Sequence, residues 1–230
     1  MKKLVALTGS GISVESGLKT FRDSDGLWEG HEITEVASPT GWLRNPGVVL
    51  EFYNQRRKNA MNALPNTAHR ALFELEQYFN VFIITQNVDN LHEKAGSSNI
   101  IHLHGELFKA RSTVDESLVY ELKDWQLNLG DQCEKGSQLR PHIVWFGEMV
   151  PMMDRAIHEI SSADIVIVVG TSLVVYPAAG LVDYISSEAP VFIVDPKIPK
   201  LRQYANFQFF EEKATTGLEK LKTLLIDKYR

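Results

Sequence analysis

The sequence predicts an α/β fold: a parallel sheet with helices on both faces, plus a small lobe inserted outside it. Three observations lead there. Short runs rich in Val and Ile are apolar at every position, so neither of their faces meets solvent. Segments with apolar residues at three-and-four spacing separate them. The 230 residues, 44% hydrophobic and 23% charged, suit one large domain or one core carrying an inserted piece, and not a disordered or solenoid chain.

Residues 4–7 are the first strand. Met1, Lys2 and Lys3 imitate the start of a signal peptide, but Thr8, Gly9, Ser10 and Gly11 end the apolar run short of the about 7 to 15 residues such a segment needs. A helix is predicted over residues 46–64, where Val49, Phe52, Tyr53 and Arg56 share a face. Another is predicted over residues 67–79, capped by Asn66 and striped by Ala68, Leu72, Leu75 and Phe79. Residues 81–85, 100–103, 165–169 and 191–194 are the remaining strands. Residues 165–182 carry no charge and are long enough to suggest a membrane span. Gly170, Thr171, Ser172 and Pro177 split them, so a strand, a polar loop and a helix are expected instead. Residues 214–229 close the chain as an amphipathic helix. Residues 23–45 and 109–139 fit neither period and are placed outside the sheet as a lid or second lobe.

A net charge of −5 leaves no basic excess for a phosphate backbone or an anionic membrane, so neither nucleic acid nor membrane is expected as a partner. The single cysteine, Cys133, excludes an intramolecular disulfide and any metal site needing two or more thiolates. A reducing compartment fits, and with no targeting segment the expected location is cytoplasmic.

The polar residues gather where strands end, and in an open parallel sheet the carboxyl ends of the strands face the ligand crevice. After the first strand, Gly9, Ser10 and Gly11 either let a diphosphate approach backbone N–H groups or simply make a tight turn. Ser13, Ser16, Gly17, Phe21, Arg22 and Trp28 continue that segment, with Arg22 an anion contact or a solvated loop residue. After the second strand, Gln86, Asn87, Asp89 and Asn90 are denser than one helix cap requires; a cap alone would leave His92 on the surface. After the third, His102 and His104 point to one side. A metal pair there would lack any acidic third ligand except Glu106, and His104, backed by Gly105, is the candidate general base. Gly170, Thr171 and Ser172 after the fourth strand, and Asp195 after the fifth, can bond phosphate or ribose, or merely punctuate turns. Polar sites spread along one sheet edge argue for a dinucleotide.

These segments resemble the motifs of the sirtuin family of NAD-dependent protein deacylases. Gly9-Ser10-Gly11-Ile12-Ser13, with Ser16-Gly17 and Phe21-Arg22, is similar to the family's GAGxS and SGIPxFR stretch. Gln86-Asn87-Val88-Asp89 resembles its QNxD, His104-Gly105 its HG and Phe146-Gly147-Glu148 its FGE. Gly170-Thr171-Ser172-Leu173, with Val175 and Pro177-Ala178, resembles its GTSLxVxPA. The motifs stand in family order along nearly the whole chain.

The resemblance implies a Rossmann-like NAD-binding domain over residues 1–31, 67–105 and 146–230, and a small lobe over residues 32–66 and 106–145. It implies that NAD is consumed while an acyl-lysine protein or peptide gives up its acyl group, leaving nicotinamide, free lysine and O-acyl-ADP-ribose. His104 would be the base, Asn87 and Asp89 would orient the ribose and the carboxamide, and Gln86 would contact the ribose. The NAD cleft would also take in Gly9, Ser10, Gly11, Ser13, Phe21, Arg22, Trp28, Val88, Gly170, Thr171, Ser172, Asp195, Pro196, Lys197 and Ala214. Val144, Phe146 and Gly147 would pair with the peptide as an added strand. Tyr53 and Arg56 match the Y-x-x-R pair of members that remove acidic acyl groups, and a phenol and a guanidinium on one helix face can hold a carboxylate. The plainer reading packs Tyr53 in the core and leaves Arg56 solvated, like Arg57 and Lys58.

The chain also departs from the family. Most sirtuins hold a structural zinc with four cysteines between HG and FGE. With only Cys133 there, no zinc is expected, and Val114, Leu118, Tyr120, Leu122, Trp125, Leu127 and Leu129 should hold the lobe. Lys19 stands where the family has Pro, implying a more mobile cofactor loop. Asp195 stands where Asn is usual; an acid suits ribose hydroxyls and would repel a 2′-phosphate, favouring NAD over NADP. Two other functions could use the same crevice: NAD sensing without turnover, and ADP-ribosyl transfer or NAD hydrolysis.

Overall fold

A computed structural model describes residues 1–20, 30–199 and 205–230. In chain order its strands are β1 (Lys3–Thr8), β2 (Asn80–Thr85), β3 (Ile100–His102), β4 (Gly105–Ser112), β5 (Val119–Glu121), β6 (Leu139–Ile143), β7 (Ile165–Val169), β8 (Val191–Val194) and β9 (Phe207–Phe210). The helices are α1 (Ile33–Val36), α2 (Pro39–Arg44), α3 (Pro46–Asn62), α4 (Thr67–Leu75), α5 (Leu91–Ala95), α6 (Met153–Ser161) and α7 (Ala214–Tyr229). A six-stranded sheet runs β3-β2-β1-β7-β8-β9 with every pairing parallel, and β5-β4-β6 form a separate antiparallel sheet. This is the expected α/β, Rossmann-like architecture. Strand order reverses between β1 and β7, and a crevice opens beyond the carboxyl ends at such a switch point.

Strand alternation explains why the runs are apolar throughout. Leu4, Ala6, Ile83, Ile167 and Phe192 face α4 and α7 in one core, while Val5, Leu7, Ile84, Val168 and Ile193 face α6 in the other. The helices start where the sequence signals them. The Asn66 side chain accepts from the N–H groups of Ala68 and His69, and Asn45 accepts from Val48 with Pro46 in the first turn of α3. Their ends differ from expectation. α3 stops at Asn62 rather than 64, since Pro65 disfavours helical backbone at Leu64. α4 stops at Leu75, and a turn carries Phe79 into the core. The helix expected after β7 is a short 3-10 segment, Ala178–Tyr184. β9, an edge strand only half buried, was not foreseen.

The small sheet and α1–α3 build two further cores, one around Tyr53, Phe52, Trp145 and Ile143, the other around Leu50, Ala110, Leu127, Cys133 and Leu139. Leu118, Tyr120 and Leu122 pack on the latter as expected. Val114 and Leu129 do not: they are 68% and 61% exposed, in turns that face solvent. Trp125 contributes its carbonyl, which accepts from Arg57 Nε at 2.7 Å, and its ring lies under Lys58. Arg57 itself is wholly buried, contrary to the reading that left it solvated. Its guanidinium also donates to the Leu107 carbonyl and to Asn54, so the buried charge is hydrogen-bonded. Burial still lowers its pKa to about 10.

The loops after β1 and β7 touch backbone to backbone. Gly9 N–H donates to the Val169 carbonyl at 3.0 Å and Gly11 N–H to the Gly170 carbonyl at 2.8 Å. A Cβ on Gly11 would stand 2.6 Å from Gly170 Cα, and Gly170, at φ 63°, has Ile12 N against its own open face. Gly17 is the contrast, with φ 86° but open space around it. Gly11→Ala is therefore expected to lower unfolding free energy by about 2–3 kcal/mol through overpacking. Gly17→Ala should lose only about 1 kcal/mol of stability, to backbone strain. Urea unfolding of the two variants checks the difference, and equal losses would refute the close-contact account.

Candidate active site

A cleft of about 900 Å³ lies over the carboxyl edge of the large sheet and under the small lobe. Every site residue expected from the sequence and described in the structure lines it. Gly9, Ser10, Gly11 and Ser13 follow β1; Gln86, Asn87, Val88 and Asp89 follow β2; His104 follows β3. Gly170, Thr171 and Ser172 follow β7, and Asp195, Pro196 and Lys197 follow β8, with Ala214 at the start of α7. From the lobe come Tyr53 and Arg56 on α3, and Val144, Phe146 and Gly147 beyond β6. Phe21, Arg22 and Trp28 lie outside the described residues.

The loop after β2 is held from several sides. Asn87 N–H donates to Thr85 Oγ1 at 3.0 Å, and Asn87 Nδ2 donates to the Gly9 carbonyl and to Ser13 Oγ, both at 3.2 Å. Ser13 Oγ in turn donates to Asp89 Oδ2 at 3.0 Å, while Asp89 Oδ1 accepts the Leu91 N–H at 3.1 Å. Asp89 thus caps the turn into α5 and joins the cleft network at once. Burial raises its pKa against these two bonds. Gln86 Nε2 donates to Thr171 Oγ1 at 2.9 Å, tying this loop to the one after β7.

The two histidines at the end of β3 part company. His104 Nδ1–H donates to the Gln86 carbonyl at 3.0 Å, which leaves Nε2 as the unprotonated nitrogen of a ring lining the cleft. Burial lowers its pKa, outweighing that hydrogen bond, so the ring is neutral near pH 7. His102 donates through Nδ1 to the Asn87 carbonyl at 3.2 Å and through Nε2 to Glu93 Oε1 at 2.6 Å, and it does not line the cleft. With both nitrogens donating, it is no partner for His104 in a metal pair. Donor atoms of Glu93, His102 and Glu106 lie within 4.8 Å of one another, but the His102 bond and the Lys109–Glu106 ion pair already engage them.

His92 is buried beneath the site, not on the surface. Its Nε2 meets Thr8 Oγ1 at 3.1 Å, and Thr8 Oγ1 donates to Thr85 Oγ1 at 2.9 Å. Its ring packs edge-on to His69 at 4.9 Å. Burial lowers the pKa of His92 far below the ordinary value and that of His69 to about 4.

Sequence reasoning missed Trp145 and the role of Glu148. Trp145 is buried between two expected peptide-contact residues, and its Nε1–H donates to the Tyr53 hydroxyl at 3.1 Å. Arg140 stacks on its other side, 3.4 Å from the ring centroid. Glu148 accepts from Arg140 at 2.6 and 3.0 Å, from Arg111 at 3.3 Å and from Trp145 N–H at 2.8 Å. Burial would raise its pKa, but Arg140, the Trp145 N–H and Arg111 together hold it below the usual value. Alternation of Val144, Trp145 and Phe146 was the available signal for an inward tryptophan.

Residues 9–177 match the Sir2 family. A protein of Helicobacter pylori named NAD-dependent protein deacylase is 54% identical over 229 residues, covering 99% of each chain. One of Bacteroides thetaiotaomicron with the same name is 49% identical, covering 98% of this chain and 99% of its own. Among solved structures, a Sir2 homologue in complex with NAD shares 41% identity and a TM-score of 0.89, covering 98% of this chain and 90% of that one. A Sir2 mutant with a p53 peptide and NAD shares 29% identity and a TM-score of 0.79, covering 96% of this chain and 92% of that one.

Buried neutral histidines have a consequence for stability. The unfolded chain takes protons at the ordinary histidine value, whereas folded His69 and His92 refuse them until lower pH; His104 and His142 share the direction. The contribution of these four histidines is therefore full above about pH 6.5 and falls as pH drops toward 4, by about 1.4 kcal/mol per pH unit for each proton refused, while His102, with its raised pKa, runs the other way. Urea unfolding from pH 7.5 to 5 tests this: the slope should shrink in His69→Gln, and a flat profile in the wild type would contradict it.

Proposed function

Since the chain belongs to the Sir2 family and is an NAD-dependent protein deacylase, we propose that it works best on lysines carrying an acidic acyl chain, succinyl or malonyl, and more slowly on acetyl-lysine. The carrying observation is the pair Tyr53 and Arg56, one turn apart on α3 and both lining the cleft. A guanidinium and a phenol on one face can hold a carboxylate through charge-assisted bonds. Tyr53 is a donor at neutral pH: burial pushes its pKa up to about 12, although the Arg56 charge opposes this. Trp145 fixes where its hydroxyl sits.

The cleft fits a dinucleotide in volume and in donor set, with hydroxyl, amide and carboxylate groups spread from Asp89 to Asp195. NAD, as co-substrate, supplies the anomeric carbon at which the acyl oxygen replaces nicotinamide; a ribose hydroxyl then attacks the acyl carbon, and water completes cleavage of its bond to nitrogen, so that nicotinamide, free lysine and O-acyl-ADP-ribose result. His104 Nε2 accepts a proton from a ribose hydroxyl, which its neutral state allows. Asn87 and Asp89, braced by Ser13, orient the ribose and carboxamide, and Gln86 contacts the ribose. Ser10, Thr171, Ser172 and Asp195 bond the rest of the dinucleotide, and burial raises the pKa of Asp195 against the Lys197 N–H bond. Val144, Phe146 and Gly147 contact the peptide, the last two from a turn in which Gly147 has φ 92° and not as the added strand expected from the sequence. No zinc enters this reading: the one cysteine, Cys133, is buried and donates to Ser112 Oγ at 3.3 Å. A lone free thiol also supports a reducing, cytoplasmic setting.

Mass spectrometry of products from succinyl-lysine and acetyl-lysine versions of one peptide tests the reading. O-succinyl-ADP-ribose should exceed O-acetyl-ADP-ribose, and His104→Ala should lower both by about 10²- to 10⁴-fold. Arg56→Met should cut succinyl turnover by about 10- to 100-fold with acetyl turnover little changed. The acid limb of kcat/KM should fall below pH 6.5, since only neutral His104 is active and its pKa is lowered. Acetyl-only turnover would remove the acidic-acyl preference.

A further inference from the structure

Two consecutive carbonyls of the loop after β2 accept hydrogen bonds from two alternate histidines of the neighbouring strand end. The Gln86 carbonyl takes His104 Nδ1–H at 3.0 Å, and the Asn87 carbonyl takes His102 Nδ1–H at 3.2 Å. The first ring belongs to the chemistry already described. The second has no face on the cleft, yet its other nitrogen is anchored 2.6 Å from the Glu93 carboxylate, one turn into α5. We propose that His102, anchored by Glu93, is a positioning residue for deacylation: it fixes the Asn87 peptide plane, and through it the Asn87 and Asp89 side chains, against the ring of His104.

The geometry supplies the reason. Asn87 Cα joins the two peptide planes whose carbonyls the histidines hold, so an Asn87 carbonyl left without its donor lets that Cα shift and carries the Asn87 side chain off the Gly9 carbonyl and Ser13 that it bonds. Ser13 bonds Asp89, so that carboxylate moves too. The same shift pulls on the Gln86 carbonyl, which sets the tautomer of His104. Charge strengthens the bond to Asn87. Burial opposes a proton on His102, but the Glu93 bond and charge, the Glu106 charge and the Asn87 carbonyl outweigh it and raise its pKa. The other groups facing this ring are Asp89 on the loop and His92 on α5, and Lys109 engages Glu106.

The proposal rests on the deacylase reading, and its test separates the two. In His102→Asn the amide Nδ2–H takes the place of the Nδ1–H donor to Asn87, whereas His102→Leu fills the space and donates nothing. His102→Leu should lose about 100-fold in kcat with peptide KM within about threefold of wild type, as expected for a misplaced catalytic group. His102→Asn should recover at least about tenfold of that loss. Wild-type kcat in His102→Leu, or a His102→Asn as slow as His102→Leu, overturns the proposal. Should His102→Leu fail to fold, Glu93→Ala serves: without the acceptor for Nε2 the ring loses its anchor, so kcat should fall about tenfold with peptide KM little changed, and a wild-type kcat overturns the proposal. ¹⁵N imidazole spectra followed against pH read the same arrangement without turnover. His102 should carry a proton on Nδ1, the nitrogen facing the Asn87 carbonyl, and a His102 whose Nδ1 has none overturns the proposal. A wild-type protein with no turnover on any acyl-peptide removes the deacylase reading instead, and the spectra still decide this one.

Discussion

The contact on which the site depends is the backbone-to-backbone approach of the loops after β1 and β7. Two N–H groups of the first loop donate to carbonyls at the end of β7 and just beyond it, and no side chain fits between them. Because strand order reverses there, the approach closes the floor of the crevice that the reversal opens. The loop after β2 is laid onto this floor: Asn87 bonds the Gly9 carbonyl and Gln86 bonds Thr171. His104 then bonds Gln86, and the small lobe follows, since Val144 N–H bonds the His104 carbonyl at 3.0 Å. Each layer takes its position from the one beneath.

Charged groups tie the segments of the small lobe together alongside its two apolar cores. Glu148 gathers two arginines and a backbone N–H, Arg57 threads between α3, Leu107 and Trp125, and Lys135 pairs with Asp115 at 2.7 Å beside the Cys133–Ser112 bond. A buried ion pair is worth little net stability compared with well-packed apolar residues, but breaking one half of it is costly. Such a network therefore favours one arrangement of the lobe over its neighbours, and that arrangement sets the cleft wall formed by residues 143–148.

The legibility of the sequence follows the same division. The central strands were plain because both faces of β1, β7 and β8 are buried and are filled almost entirely by Val, Ile, Leu, Ala and Phe. Asn66, a cap with a clear stripe behind it, marked α4, and the polar residues at strand ends lie along one cleft because the topology takes them there. β4 was hidden because its strand carries Glu106, Lys109 and Arg111: Lys109 pairs with Glu106 in the same strand and with Glu121 on β5, and Arg111 with the distant Glu148. Arg57 looked solvated beside Arg56 and Lys58 for the same reason: the carbonyls that satisfy it belong to residues 107 and 125. β9 was missed as a short half-buried edge, and Val114 and Leu129 misled because single apolar residues in turns are often exposed. Local pattern reports burial, whereas pairing across the chain leaves no local trace.

Adjacent residues of α3 divide their duties by direction. Tyr53 and Arg56 line the cleft, while Asn54 and Arg57 lock the helix to the segment around Trp125 and Leu127. The two surfaces share a backbone and meet at one side chain, Tyr53, which lines the cleft and also packs in the core beside Trp145. Exchange at position 56 therefore disturbs the lobe less than exchange at 53, which would also open that core and release the Trp145 indole.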